Sequence, residues 1–249
     1  MSDAWIDHGY VVGLDLGKLA DYTAISVLRQ RERHELIDEQ DRQRVFEAVI
    51  AGTPAPVGFT RDWSTVARRV PRLGEAKGKA THFELVHLDR VPLGTSYPGI
   101  VDHVRELLTR RELRGQARLV VDATGVGVPI VDLLRDAGVQ PVPITITGGG
   151  TPSRDPRGGG YHVPKRDLVD LLAVLLQTSR LAVASSLRFA QALADELLAF
   201  EAKITAAGHD TYGAREGAHD DLVLSVAIAA WVGMRSTPSR WSDFPAVRY

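Results

Sequence analysis

An aspartate inside an apolar run has to be paired, hydrogen-bonded or bound to a cation, because an unpaired buried charge costs several kcal/mol. Asp15 is such a residue. It interrupts Val11-Val12-Gly13-Leu14-Asp15-Leu16-Gly17, an apolar segment punctuated by glycine. Two more acidic sites are similarly set. Asp122 closes Arg118-Leu119-Val120-Val121-Asp122 and leads into Ala123-Thr124-Gly125-Val126-Gly127. Asp220 and Asp221 stand beside His219 at the head of a long apolar segment ending near Trp231. Clustered carboxylates with no basic partner nearby in sequence repel one another and draw in a hard divalent cation. Oxygen ligands and retained waters suit Mg2+ or Mn2+. Two such ions can activate a water and stabilise the leaving oxygen in phosphodiester hydrolysis.

Each position also has a plainer account. Asp15 and Asp122 could be turn residues at strand ends. Asp220 and Asp221 could cap a helix and favour its dipole, worth about 1 kcal/mol or less each. Asp21, in Asp21-Tyr22-Thr23, reads equally as a hairpin-turn residue or as a further acidic group at the site. The Asp-x-x-Gly-x-Gly after strand four could cradle phosphate, although a glycine turn of this kind is weak evidence alone. What favours a site is the recurrence of acids in three such settings.

The elements that would position these residues follow from periodicity. Val11–Leu16 and Thr23–Arg29 read as strands joined by a short connection, which suits an antiparallel hairpin. Phe83–Leu88 alternates as a third strand. Tyr97–Arg111 has a helical apolar face at Ile100, Val101, Val104, Leu107 and Leu108. Arg118–Asp122 is a fourth strand, Pro129–Ala137 a helix stopped by Gly138, and Val142–Ile146 a fifth strand. Thr147–Gly160 is a loop rich in Gly, Pro and Arg, too long for a simple connection. Helices are expected over Pro164–Ser179, Leu187–Phe200 and Gly217–Trp231, with a hairpin around Gly208 spanning Ile204–Tyr212. The order argues for a mixed sheet with helices on its faces.

At 249 residues and 44% apolar content the chain can bury a sizeable core. A net charge of −1 means that any nucleic-acid surface is local. The basic stretch Arg61–Lys79, with Arg68, Arg69 and Trp63, is one candidate; the other account is a solvated insertion. The absence of cysteine excludes a disulfide framework and a thiolate metal site, and fits a reducing compartment. The N-terminus lacks the form of a signal peptide and no apolar run approaches a membrane span, so a soluble, intracellular protein is expected.

Taken together, Gly13–Gly17 with Asp21–Ala24, Val121–Gly127 and Gly217–Leu222 resemble the nuclease domain of tailed-phage large terminase subunits. Val163–Leu168 and Asp195–Phe200 extend the resemblance, which runs from Val11 to Trp231. It implies an α/β, RNase H-like mixed five-stranded sheet flanked by helices, with the first three strands antiparallel and the fourth and fifth parallel. One such domain would span 1–235, with an insertion around 41–80 and a tail over 236–249. The resemblance implies metal-dependent endonucleolytic cutting of concatemeric viral DNA during packaging. Asp15, Asp122 and one or both of Asp220 and Asp221 would hold two Mg2+ or Mn2+ ions, with Asp21 and His219 close by. Lys165, Arg166, Arg154 and Arg157 would face double-stranded DNA. Implied partners are a packaging ATPase, a portal and a small terminase subunit, in the cytoplasm of an infected bacterium.

The sequence departs from that family in having no Gly-x-x-x-x-Gly-Lys-Ser/Thr loop. It is therefore expected to be an excised nuclease domain or one encoded apart from its motor. Two other classes share features with it. An actin/hexokinase-type phosphotransferase also opens with Gly-x-Asp-x-Gly, but needs two duplicated subdomains and gives no role to His219-Asp220-Asp221. A catalytically silent assembly module would keep the fold and lose the chemistry, and retention of all three acidic positions argues against it.

Overall fold

A computed structural model describes residues 4–17, 21–36, 40, 43–44, 47, 76–125, 127–156, 159–206 and 219–235. The elements are β1 (Ala4–Asp15), β2 (Thr23–Leu36), β3 (Ala76–Val91), α1 (Tyr97–Thr109), β4 (Ala117–Asp122), α2 (Gly127–Asp136), β5 (Val142–Thr147), β6 (Ser153–Arg154), β7 (Tyr161–Pro164), α3 (Lys165–Gln177), β8 (Leu181–Val183), α4 (Ala190–Ala206) and α5 (Asp221–Arg235). The strands form one sheet in the order β6-β7-β5-β4-β1-β2-β3-β8. This is the expected mixed α/β sheet, with eight strands among the described residues where five were expected. β1 pairs with β4 and β4 with β5 in parallel. The connection between β1 and β2 is too short for a parallel crossover.

Several elements differ from their sequence expectations. β1, β2 and β3 are longer, because polar alternation at their ends carries no apolar signal. The loop expected over Thr147–Gly160 contains β6, which pairs antiparallel with β7. β8 is only three residues long and pairs with β3 in parallel, too short to show a period. Residues 76–79 of the expected basic loop belong to β3, and Lys79 Nζ lies 3.6 Å from Glu32. Ile204, expected in a hairpin, lies in α4. The rest of that hairpin, Arg68, Arg69, Arg157 and the tail over 236–249 lie outside the described residues.

The chain divides into two compact units. The first comprises 1–8 and 31–82 and the second 9–30 and 83–249. In the first, Arg31 stacks on Trp5 at 4.7 Å and Trp5 meets His82 edge-on at 5.1 Å. The second carries two apolar layers, one on each face of the sheet. Val12 and Leu14 of β1 join Ile100, Val104, Leu107, Ile130 and Leu134 of α1 and α2. Val11 and Val120 join α3, α4 and α5 on the other face.

Period-two alternation therefore sends Val11, Gly13 and Asp15 toward the α5 face, together with Val120 and Asp122 of β4. α5 is buried on every side from Asp221 to Gly233. A helix apolar all round belongs in a core. It crosses β1 at Gly13, where a Cβ would lie 1.9 Å from the Ser225 carbonyl oxygen and 2.9 Å from the Ser26 hydroxyl. That close crossing brings the start of α5 to the C-terminal end of β1.

Replacing Gly13 by alanine should therefore cost about 1–3 kcal/mol or more through overpacking. Gly148→Ala, where an added Cβ meets nothing within 4 Å, should stay within about 0.5 kcal/mol. Urea denaturation of both variants checks this.

Candidate metal and nuclease site

The parallel register of β1 on β4 runs from Tyr10 opposite Ala117 to Leu14 opposite Val121. One further step sets Asp15 beside Asp122. Neighbouring strands are about 4.8 Å apart, so two carboxylates on the same face must meet. They do, and share a hydrogen bond. Asp15 is only 7% exposed. Burial, and then the Asp122 carboxyl against it, pushes Asp15 well above the usual carboxylate range, with Asp220 and Asp221 adding to the effect. Burial also raises Asp122, against the hydrogen bonds from Thr124 and Asp15 and the nearby Lys165 ammonium. The Thr124 amide donates to Asp122 Oδ1 at 2.8 Å, and the Ile146 amide donates to Thr124 Oγ1 at 2.8 Å, tying the loop after β4 to β5. α2 then starts tightly against the strand end: a Cβ on Gly127 would lie 2.0 Å from the Asp122 carbonyl oxygen.

The two aspartates at the head of α5 have different partners. Asp220 precedes the helix and accepts from Lys165 Nζ at 2.7 Å through Oδ2. Asp221 is buried, and both of its oxygens accept from Arg90: Nε to Oδ2 at 2.8 Å and Nη2 to Oδ1 at 3.0 Å. Arg90 Nη2 also donates to Glu196 Oε1. Glu196 Oε2 accepts from the Val223 amide at 3.1 Å. The first turn of α5 is thus capped by a carboxylate from α4, while the Asp220 side chain turns to Lys165. Burial and the neighbouring Asp221 push Glu196 up to about 7, against the pull of the Val223 amide and Arg90. Arg90 is held above its ordinary value: burial disfavours its charge, but the hydrogen bonds and charge of Asp221, and then Glu196, outweigh that.

The other expected site residues are less central. His219 is largely exposed, with Nδ1 3.9 Å from Asp221 Oδ1 and its ring edge-on to Tyr22 at 5.4 Å. Asp21 is exposed. It lines a cavity of about 350 Å³ with Gly17, Thr23, Val91, Tyr97 and Ile100. Lys165, expected to face DNA, lies within the acidic cluster. Arg166 is exposed, with Nε 3.4 Å from Asp170, and Arg154 lies over the Tyr161 ring at 5.8 Å.

Sequence reasoning passed over Arg90 and left Glu196 without a role. Arg90 sits beyond the apolar alternation that ended the third strand at Leu88, so nothing marked it. Glu196 did carry a signal: it falls three residues after buried Leu193 on the inward face of α4, an improbable place for an acid.

Among the described residues no three His, Asp or Glu side chains form a ready-made metal-holding group. The donor chemistry nevertheless fits a hard cation. Two touching carboxylates, both held above the ordinary carboxylate range, are what a divalent ion would relieve. Mg2+ commonly takes only one or two carboxylates and completes its shell with waters and substrate phosphates.

No family model matches the chain. Over 128 residues, 51% of its length, it is 29% identical to the terminase large subunit of Thermus phage G20c, and equally to that of Thermus virus P23-45. The chain is homologous to these subunits, and the match covers 23% of their length. Among solved structures it resembles the large terminase nuclease from thermophilic phage G20c, at 20% identity and a TM-score of 0.48, covering 89% of this chain and 81% of that one. It also resembles the human cytomegalovirus terminase nuclease domain, solved after Mn soaking, at 12% identity and a TM-score of 0.43, covering 90% and 83%.

The raised Asp15 sets a sign for stability. A native carboxyl that holds its proton above the ordinary range makes the native state bind more protons than the unfolded one, so stability falls as pH rises from the ordinary carboxylate range through the raised value. The metal-free protein should melt higher at mildly acidic than at neutral pH from this pair. Asp15→Asn should flatten that dependence and raise the neutral-pH melting temperature. Thermal melts across pH in EDTA check this.

Proposed function

We propose that this chain is a divalent-metal-dependent DNA endonuclease, the nuclease part of a viral genome-packaging terminase, cutting concatemeric double-stranded DNA. The observation that carries the reading is the buried Asp15–Asp122 pair at the ends of adjacent parallel strands, with Asp220 brought over it by α5. Homology to phage terminase large subunits supports the same assignment. Asp15 and Asp122 would hold the metal, Mg2+ or Mn2+, with Asp220 as the third acid. Asp221, engaged through both oxygens by Arg90, anchors the helix that carries Asp220. When bound, such an ion lowers the pKa of its water and stabilises charge on phosphate oxygens.

The chain's own residues supply the rest. Lys165, close to Asp122 and on Asp220, puts a positive charge where a scissile phosphate would approach. The Thr124 amide fixes the Asp122 carboxylate through Oδ1. Arg154 and Arg166, exposed beside this end of the sheet on β6 and α3, are suited to hold the phosphate backbone. Among the described residues no helix is long and apolar enough to cross a membrane. The proposed setting is the host cytoplasm, with a packaging ATPase, portal and small terminase subunit as partners.

Plasmid cleavage by the purified chain tests the reading. Cutting with Mn2+ or Mg2+, none with EDTA, and a loss of about 100-fold or more in Asp122→Asn are expected. A variant that cuts at the wild-type rate would remove Asp122 from the site, and a chain that binds DNA but never cuts would indicate an assembly module. Arg154→Ala and Arg166→Ala should each lower the salt dependence of DNA binding by about one unit of log–log slope. Titrations across ionic strength read this directly, and an unchanged slope takes that arginine off the DNA surface.

A further inference from the structure

Asp220 stands immediately before α5, with the Leu224 amide donating to its carbonyl at 2.9 Å. Its carboxylate is held by Lys165 at 2.7 Å, and what fixes the next residue sets the backbone from which it reaches. Asp221 is 5% exposed and is gripped by a guanidinium fork from β3. The same guanidinium reaches Glu196 on α4, whose other oxygen caps α5 at Val223. One face of Arg90 stacks over the Tyr22 ring at 4.8 Å, and the Phe189 ring lies 6.0 Å away. Tyr22 in turn touches His219. A single arginine thus joins β3, α4, the β1–β2 connection and the start of α5.

We propose that Arg90 is the positioning residue of the acidic site: its planar fork orients Asp221 and so aims Asp220 at the Asp15–Asp122 pair. This rests on the metal-site reading above. Lysine cannot replace it, because an ammonium offers a point charge where two parallel N–H donors and a stacking face are used. Without the guanidinium, Asp221 and Glu196 face each other buried and uncompensated, and the head of α5 shifts to relieve them.

The test measures Mn2+ binding by calorimetry on the full chain, alongside circular dichroism and DNA-cutting kinetics. Arg90→Lys is expected to stay folded and to bind Mn2+ about 10- to 100-fold more weakly, as for other residues that orient metal ligands. Its kcat should fall while KM for DNA stays near wild type. In Arg90→Ala, added guanidinium at non-denaturing concentration should restore Mn2+ affinity, and sodium chloride at equal ionic strength should not. A folded Arg90→Lys with wild-type Mn2+ affinity, or a folded Arg90→Ala unmoved by guanidinium, overturns the proposal. If Arg90→Ala does not fold, Tyr22→Leu, which removes the stacking face, should weaken Mn2+ binding in the same direction; unchanged affinity there also overturns it. Asp122→Asn run in parallel separates the two readings. If it binds Mn2+ like wild type, the metal-site reading fails and this inference with it. If it alone loses Mn2+, only the role of Arg90 fails.

Discussion

Two carboxylates held side by side out of water are the constraint to which the rest of this site responds. The parallel pairing of β1 and β4 makes the Asp15–Asp122 contact unavoidable, since both side chains leave the same face at the same register. Such a contact is costly in an isolated fold. It is eased because burial and the facing carboxyl raise the Asp15 carboxyl above its ordinary range and because Thr124 and Lys165 compensate Asp122. A polar arrangement of that cost at the end of an otherwise apolar core is where local consistency is given up for chemistry.

The helix α5 converts a strand pair into a site. Its burial on all sides and its close crossing at Gly13 leave little freedom in where it begins. Consecutive aspartates at that beginning diverge, one toward Lys165 and the other into the grip of Arg90. Adjacent residues of the same type thus do different work, and the difference arises from the elements packed around them rather than from their own sequence. Positive charge enters the cluster from β3 and from the first turn of α3, so the acids are balanced by residues far from them in the chain.

Much of this was legible beforehand. The continuous apolar runs in Val11–Leu16 and Arg118–Asp122 were enough to find both strands, and an acid inside one and at the end of the other was enough to mark both residues. The long apolar segment after Asp221 announced a buried helix. What was not legible were contacts set by tertiary packing. Arg90 lies past the point where the third strand loses its apolar period, and its partners are more than a hundred residues away. β8 is too short for any period to register. The capping of α5 by Glu196 could not be read locally, because a local rule gives that work to Asp220.

The central claim is that Asp15 and Asp122 together hold a divalent cation. Anomalous scattering from a crystal of the chain grown with Mn2+ tests it most directly. The account predicts an anomalous peak in contact with carboxylate oxygens of both Asp15 and Asp122, and its disappearance in Asp15→Asn. Mn2+ bound elsewhere, or a pair that stays in hydrogen-bonded contact with no peak at saturating metal, would contradict it.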